Sequence, residues 1–190
     1  MSISCVTDTE LVERARGGDA AAFGELVERH QLAAVRAAMA VLGNADEARE
    51  AAQDAFVLAF RRLASFRGDA SFKTWLLTIA WHQAINRRRG VAQRVKRLVG
   101  LDDTTERRAP DTDSQEHRLV AAEHAAHIKR IVRSLPPRYR EALMLAATRE
   151  CTFEDMARIV GVASGTLKWR VNRARTMLRA ELAKLGYQDD

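Results

Sequence analysis

The sequence predicts an all-α protein made of two small helical domains joined by a flexible linker. Its 190 residues are rich in Ala, Leu, Arg and Glu, which favour helices, and contain only three prolines. No stretch alternates apolar and polar residues as a half-buried strand does. A polar segment without periodicity separates two regions of helical pattern, and the second region ends in a helix-turn-helix pattern.

Residues 8–16 predict a short first helix, which Gly17 and Gly18 end. Asp19 is expected to cap a second helix, and Gly43 to close it in the left-handed conformation. Asn44, with an acidic residue three positions on, predicts the start of a third helix that runs to about Ser65.

A fourth helix follows a break from Phe66 to Ser71. Phe72, Trp75 and Leu76 recur at helical spacing and are expected to face the core. Three consecutive arginines, residues 87–89, lie toward the end of this helix. There they suit the negative end of the helix dipole, which is the purely structural explanation for them.

Residues 99–117 are polar and aperiodic, which is typical of a flexible linker. We place an N-terminal domain at residues 1–95, a linker at 96–118 and a C-terminal domain at 119–190. Within the last of these, Pro136 and Pro137 stop one helix and start the next.

The pattern from residue 152 to 180 predicts a helix-turn-helix. Thr152 is a suitable cap for the first helix, Gly161 permits the tight turn, and Ser164 is expected to cap the second helix. Ala157 and Leu167 have the spacing that lets the two helices approach and lock.

The second of these helices has two distinct faces. Its inward positions are apolar (Leu167, Val171, Ala174 and Leu178), and the rest of its surface is basic. Such a helix enters the major groove with its N-terminal part. We expect base contacts from Lys168, Trp169, Asn172 and Arg173, and phosphate contacts from Arg170 and Arg175.

The distribution of charge along the chain supports two surfaces that bind polyanions. Residues 61–97 carry ten Lys or Arg and one Asp, and residues 129–190 carry thirteen Lys or Arg and seven Asp or Glu. The segments before and between them, residues 1–60 and 98–128, are net acidic. Two basic blocks separated by an acidic one indicate two separate nucleic-acid surfaces.

Two motif sets resemble the bacterial sigma factors of the extracytoplasmic-function group. TFEDMARIVGVASGTLKWRVNRAR (152–175) and LPPRYREALML (135–145) are similar to their C-terminal domain, and EAREAAQDAFVLAFRRLASFRGDASFKTWLLTIA (47–80) to their other domain. The resemblance implies a promoter-specificity subunit that performs no bond chemistry. It also implies three partners: core RNA polymerase, through its clamp and flap, promoter DNA, and a cognate anti-sigma factor.

The resemblance also implies site residues. Those expected to bind the upstream promoter element are Ser164, Thr166, Lys168, Trp169, Arg170, Asn172, Arg173 and Arg175. Those expected to bind and melt the minus-ten element are Phe66, Arg67, Gly68, Asp69, Ser71, Lys73, His82, Asn86 and Arg87. Those expected to bind core polymerase are Glu50, Gln53, Asp54, Val57 and Leu58. A base flipped from the strand would need a stacking surface, which Phe66, Phe72 and Trp75 could supply.

This chain departs from the family pattern at several positions. His82 and Asn86 stand where Asn and Asp are usual, and Trp81 replaces a common Arg. Cys151 replaces a common Leu. Trp169 stands where a small residue such as Ser is usual, at a position that faces the bases, so it either packs against a thymine methyl or only shields the helix.

No cofactor or metal is expected. Cys5 and Cys151 form neither a disulfide framework nor a zinc pattern. His117, His124 and His127 have a loose metal-like spacing, but no Cys or carboxylate pattern of a metal site accompanies them. No nucleophile-and-base constellation indicates an enzyme. With no apolar run long enough for a bilayer and no signal peptide, we expect a cytoplasmic protein without membrane insertion.

Two other functions fit parts of the pattern. A decoy that sequesters an anti-sigma factor would share the fold, but such proteins usually carry a receiver domain, and both basic surfaces are intact here. A helix-turn-helix repressor without a polymerase partner would leave the N-terminal domain unexplained. Run-off transcription with core polymerase distinguishes these alternatives.

Overall fold

A computed structural model describes residues 6–99 and 127–185, and throughout those ranges the regular secondary structure is helical. This confirms the all-α prediction. The helices are α1 (Asp8–Arg16), α2 (Ala20–Leu42), α3 (Ala45–Arg62), α4 (Phe72–Val99), α5 (127–134), α6 (Pro137–Ala147), α7 (Phe153–Val160) and α8 (Ser164–Lys184), with a 3-10 turn at Leu63–Ser65. None of the described helices has the length and apolar character of a membrane span.

Most of the predicted helix ends are confirmed. The Asp19 side chain accepts a hydrogen bond from the Ala22 N–H, and Asn44 Oδ1 accepts from two N–H groups of the first turn of α3. Gly43 ends α2 at φ +68°, the left-handed conformation that favours glycine. These local signals position the helices because each cap satisfies N–H or C=O groups that the helix itself leaves unpaired.

The core of the N-terminal domain lies between α2, α3 and α4. The buried face of α3 is made almost entirely of alanine, at positions 48, 51, 52, 55 and 59. Small side chains allow the helix backbones to approach closely, and Trp81 of α4, only 1% exposed, fills the remaining space. The position where the family usually has Arg is therefore a core position in this chain.

Helix α4 continues through residue 99, beyond the boundary at 95 that we placed from sequence. The basic, helix-favouring composition of residues 94–98 is compatible with this continuation. The remainder of the predicted linker, Cys5, His117 and His124 lie outside the described residues.

In the C-terminal domain, α6 and α7 pack against α8. Pro137 occupies the first turn of α6, where its missing N–H is not needed. Leu135 and Tyr139 are buried against Ala174 of α8. This small core holds α8 with one face inward and the other free.

The two domains pack against each other, which the sequence pattern did not indicate. Helix α7 lies against α4, and α6 lies against α2. Leu145, Met156 and Ile159 belong to the same buried apolar cluster as the core of the N-terminal domain. The predicted domains are therefore distinct in sequence but share a continuous core in this conformation.

Candidate nucleic-acid interface

The helix-turn-helix is built from local signals that the sequence contained. Thr152 Oγ1 accepts a hydrogen bond from the Asp155 N–H at 3.2 Å and caps α7. Gly161, at φ +74°, donates from its N–H to the Ala157 carbonyl at 2.9 Å, and Val162 donates to the same carbonyl at 3.0 Å. Residue 161 needs glycine because a side chain would be strained in this conformation. The turn sets the direction in which α8 leaves α7.

The cap predicted at Ser164 is wrong. Ala163 occupies the N-cap position with an extended backbone, and Ser164 is already the first helical residue. Its hydroxyl lies 3.4 Å from Glu154 Oε1 of α7. The helix therefore begins one residue earlier than expected. The extended backbone that precedes its first turn lies at Ala163, which has no side chain that could cap the helix.

Helix α8 presents its inner face to α6 and α7 and its outer face to solvent. Leu167, Val171 and Ala174 are fully buried. Of the eight residues expected to bind the upstream element, Ser164 and Arg170 are half-buried, and the other six are exposed: Thr166, Lys168, Trp169, Asn172, Arg173 and Arg175. The structure thus brings all eight onto the outward half of α8 and its edges.

Lys168 and Trp169 each contact a neighbouring helix. Lys168 Nζ lies 3.4 Å from Glu154 Oε1, and its ammonium is 5.9 Å from the centre of the Phe153 ring. The backbone N–H of Glu154 lowers the pKa of its carboxyl group most, and the Lys168 ammonium lowers it further. The Trp169 ring meets the Tyr139 ring of α6 edge to face, with centroids 5.7 Å apart. Both side chains remain more than half exposed.

The break between α3 and α4 is a short loop anchored from α1. Arg16 Nε donates to the Leu63 carbonyl at 3.2 Å, its Nη2 donates to the Phe66 carbonyl, and its guanidinium lies 5.9 Å from the Phe66 ring centre. Gly68 adopts φ +78° at the turn. Sequence reasoning missed Arg16, because nothing in the pattern of α1 links it to a loop fifty residues away.

Three aromatic rings meet beside this loop. Phe66, Phe72 and Trp75 have mutual centroid distances of 5.1 to 6.0 Å. Phe72 is only 3% exposed and belongs to the core, whereas Phe66 and Trp75 are half-buried. Only Phe66 and Trp75 therefore offer ring surface for stacking.

The polar residues of the loop differ in their freedom. Arg67 and Asp69 are exposed. Ser71 Oγ accepts a hydrogen bond from the Thr74 N–H at 3.1 Å, so this hydroxyl serves as the cap of α4. A base-binding role for Ser71 would compete with that cap.

Of the α4 residues expected to bind DNA, some are exposed to solvent and others form ion pairs with carboxylates of the protein. His82 and Asn86 are exposed. Lys73 Nζ lies 2.8 Å from Glu150 Oε2 of the C-terminal domain. Arg87 pairs with Glu50 at 2.5 Å and Asp54 at 2.7 Å, and these two carboxylates raise the pKa of its guanidinium. The structure thus joins a residue expected to bind DNA to two residues expected to bind polymerase.

Glu150 bridges the two domains. Its carboxylate accepts from Lys73 of α4 and from Arg36 of α2, the latter at 2.5 Å, and these partners hold its pKa below the ordinary value. Next to it, Asp155 Oδ1 accepts from the buried Thr74 hydroxyl at 3.1 Å. Carboxylates of the C-terminal domain therefore occupy donors of the N-terminal domain, among them Lys73, which was expected from sequence to bind DNA.

The five residues expected to bind polymerase share one side of α3. Glu50, Gln53, Asp54 and Val57 are exposed and Leu58 is half-buried. Beside them, Phe60 is 54% exposed and its ring meets Phe23 at 4.9 Å. The two rings and Val57 help to line an apolar groove of about 400 Å³. Sequence reasoning missed Phe60, although its exposed side of α3 follows from the helical spacing of the buried alanines.

Comparisons with known proteins place these surfaces in a family. Residues 26–94 match the description Sigma-70 region 2, and residues 126–178 match Sigma-70, region 4. The chain is 33% identical to the RNA polymerase sigma-H factor of Pseudomonas aeruginosa over 94% of this chain and 95% of the relative. It is 31% identical to the ECF RNA polymerase sigma-E factor of Escherichia coli K12 over 90% and 91% of the two chains.

Two solved structures are similar in sequence and fold, each at 25% identity. One is the sigma factor RpoE in complex with the anti-sigma factor NepR from Bartonella quintana, with a TM-score of 0.67 over 85% of this chain and 96% of that one. The other is CnrH in complex with the cytosolic domain of CnrY, with a TM-score of 0.68 over 93% and 97%. The chain therefore belongs to the extracytoplasmic-function sigma factors, non-enzymatic subunits that direct RNA polymerase to promoters.

Proposed function

We propose that this sigma factor uses three separate surfaces: the outer face of α8 for the upstream promoter element, the loop and α4 for the minus-ten element, and the exposed side of α3 for core polymerase. The observation that carries the proposal is the outer face of α8. It combines cations, an amide and an indole on a helix whose inner face is fully buried by the helix-turn-helix core. This is the arrangement of a helix that enters the major groove.

On α8, the direction in which a side chain leaves the helix separates residues expected to contact bases from those expected to contact phosphates. Trp169, Asn172 and Arg173 point away from the buried face and can reach base edges. Lys168 lies at the edge of α8 that meets α7, where its Nζ is 3.4 Å from Glu154 Oε1, so we assign it to the phosphates and not to the bases expected from sequence. Arg170 and Arg175 keep the phosphate contacts expected from sequence. Side chains at the edges of the helix are better placed for the phosphates that flank the groove.

At the minus-ten element, the loop supplies a place for an unstacked base. Phe66 and Trp75 offer ring surface, and Arg67 and Asp69 offer hydrogen-bonding groups beside it. An extruded base needs both kinds of group, because stacking alone gives little discrimination among bases. His82 and Asn86, exposed farther along α4, extend this surface toward the strand that follows.

Core polymerase would dock on the exposed side of α3. Glu50, Gln53 and Asp54 give it a polar, acidic part, and Val57 with Phe60 gives it an apolar part beside the groove. Exposed apolar rings next to a polar rim are typical of protein interfaces rather than of free surface. The flap of the polymerase is the expected partner of the C-terminal domain.

The packed arrangement of the two domains has to open for this function. Lys73 and Thr74 are held by Glu150 and Asp155 of the C-terminal domain, so DNA phosphates cannot reach them until the domains separate. Binding to core polymerase would supply the free energy for separation. One of the similar solved structures is a sigma factor in complex with an anti-sigma factor. We propose that a cognate anti-sigma factor binds this chain as well, in the cytoplasm where the polymerase works.

The test is selection of promoters from a random DNA library by the holoenzyme, assembled from core polymerase and this chain. A sigma factor enriches two elements at a fixed separation, and neither is enriched by core alone. A repressor would instead enrich one site, equally well with and without core polymerase. A decoy would enrich none, and that result would contradict the proposal.

A further inference from the structure

Trp169 is the large apolar side chain at the centre of the outer face of α8. It follows the buried Leu167 by two positions, which turns its Cβ about 200° around the helix and onto the outward half of α8. Its side chain is 56% exposed, whereas the neighbouring outward positions 166, 172 and 173 carry Thr, Asn and Arg. Packing among the described residues does not account for an indole at this position, because the ring contact that they make with it is the one from Tyr139.

The contact with Tyr139 holds the indole in place. Tyr139 is 7% exposed, and its ring meets the Trp169 ring at 5.7 Å and an interplanar angle of 63°. Tyr139 is itself fixed by packing against Leu135 and Ala174, and the Arg138 guanidinium lies 4.7 Å from its ring centre. A ring fixed on one side loses little conformational freedom when a ligand meets its free surface.

The space on the N-terminal side of Trp169 is open. Side chains of a helix lean toward its N-terminus, so the turn that precedes Trp169 lies under the approach to the ring. Gly165 stands in that turn, and a Cβ built there would meet no atom of residues 6–99 or 127–185 within 4 Å. A group of the size of a methyl can therefore reach the indole from the side on which DNA would lie.

Among the groups that DNA bases expose in the major groove, one fits the apolar ring surface of Trp169. In the major groove the thymine 5-methyl is the apolar group among the base edges, which otherwise present hydrogen-bond donors and acceptors. We infer that Trp169 is a specificity-determining residue that contacts a thymine methyl in the upstream element, and that Tyr139 is the positioning residue that holds its ring. This inference rests on the proposed role of α8.

The test uses the holoenzyme and the promoter that it selects. Each thymine of the upstream element, on either strand, is replaced in turn by uracil, which removes only the methyl. With the wild-type chain, one replacement should weaken binding about 4-fold, the effect of burying a single methyl-sized group. With Trp169→Ser, thymine and uracil at that position should bind equally.

Three variants separate positioning from general loss. Tyr139→Phe keeps the ring and should keep the thymine-to-uracil ratio, whereas Tyr139→Leu should bring the ratio toward one while the circular dichroism spectrum stays helical. Arg175→Ala should weaken binding to both DNAs and leave the ratio unchanged. A mere loss of folding would not change the ratio selectively.

Two results would overturn the inference while leaving the proposed function intact. One is sequence-specific upstream binding that no uracil replacement weakens, and the other is a selected upstream element without any A·T pair. A holoenzyme that shows no upstream preference at all would instead contradict the proposed role of α8 itself, and with it the inference.

Discussion

Arg173 and Arg175 stand two residues apart on α8, so their side chains leave the helix about 200° apart. Both are exposed. By helical spacing, Arg173 lies farther from the buried stripe of α8 than Arg175 does. At the scale of single residues, the proposed function therefore assigns a base contact to one arginine and a phosphate contact to the other, although their chemistry is identical.

Arg173→Ala is predicted to cost about 1–3 kcal/mol on the selected upstream element and to relax preference at one base pair, because a base contact carries sequence information. Arg175→Ala should weaken binding to selected and scrambled DNA alike and lower the salt slope by roughly one. Competition binding at several salt concentrations measures both effects. Equal losses for Arg173→Ala on the two DNAs would show that the reading face is assigned wrongly.

At the scale of helices, sequence predicted those features that depend on a few adjacent residues. The caps at Asp19, Asn44 and Thr152 and the left-handed Gly43 and Gly161 are local, and the structure has them. Spacing alone also predicted the buried positions Leu167, Val171 and Ala174 of α8, whereas Leu178, expected to face inward, is half-buried. The predicted start of α8 is one residue too late, because Ser is a common N-cap residue and sequence favours Ser164 for that position. The extended backbone at Ala163 shows that Ala163 is the N-cap instead.

Contacts between distant elements could not be predicted in this way. Arg16 holds the loop at Phe66, and Tyr139 holds Trp169, but neither pair has a signal in the order of residues. The pairing of Arg87 with Glu50 and Asp54 likewise depends on how α4 crosses α3. The candidate residues of the site could be predicted from sequence, but tertiary packing decides which of their polar groups are free.

Replacing residues 66–71 by a Gly/Ser loop of equal length is predicted to permit promoter binding and to block strand opening, because Phe66 and the exposed groups Arg67 and Asp69 are removed together. A variant that keeps Ser71 retains the cap of α4 and serves as the control for folding. Permanganate reactivity of promoter thymines reports opening. Normal reactivity in both variants would exclude the loop from melting.

Asp54→Arg combined with Gln53→Ala is predicted to weaken association with core polymerase by at least ten-fold, since it reverses charge at the centre of the exposed side of α3. Glu28→Arg, a charge reversal at an exposed position of α2, is the matched control. Titration of labelled core polymerase gives both affinities. An unchanged affinity for the double variant would show that core polymerase does not dock at this side of α3. Equal weakening by Glu28→Arg would show that the effect comes from net charge and not from this surface.

At the scale of the whole molecule, the bridge at Glu150 and the shared apolar core hold the domains together. The pKa of Glu150 is lowered, so its contribution to the packed state is fully present above its ordinary pKa and is lost as pH falls through the lowered value. At neutral pH the bridge is therefore intact. Opening has to come from a partner or from substitution, not from physiological acidification.

Arg36→Gln is predicted to open the domains more often, because it removes one of the two cations on Glu150. Cys151 reports this, since it is half-buried at the junction and burial raises the pKa of its thiol to about 11. In a Cys5→Ser background, alkylation by iodoacetamide at pH 8 should accelerate several-fold, as only the thiolate reacts. An Arg49→Gln variant, which removes an ion pair within α3, should leave the rate unchanged. Equal rates in all three chains would show that the bridge does not control opening.

Run-off transcription tests most directly the claim that the three surfaces act together in one promoter-specificity subunit. The reaction contains purified core polymerase, this chain and a linear template with the selected promoter, and a second template has the upstream element scrambled. Run-off RNA is expected only when the chain is present, and the scrambled template should give at least ten-fold less of it. A chain that co-elutes with core polymerase and binds the template, yet yields no more RNA than core alone, would contradict it.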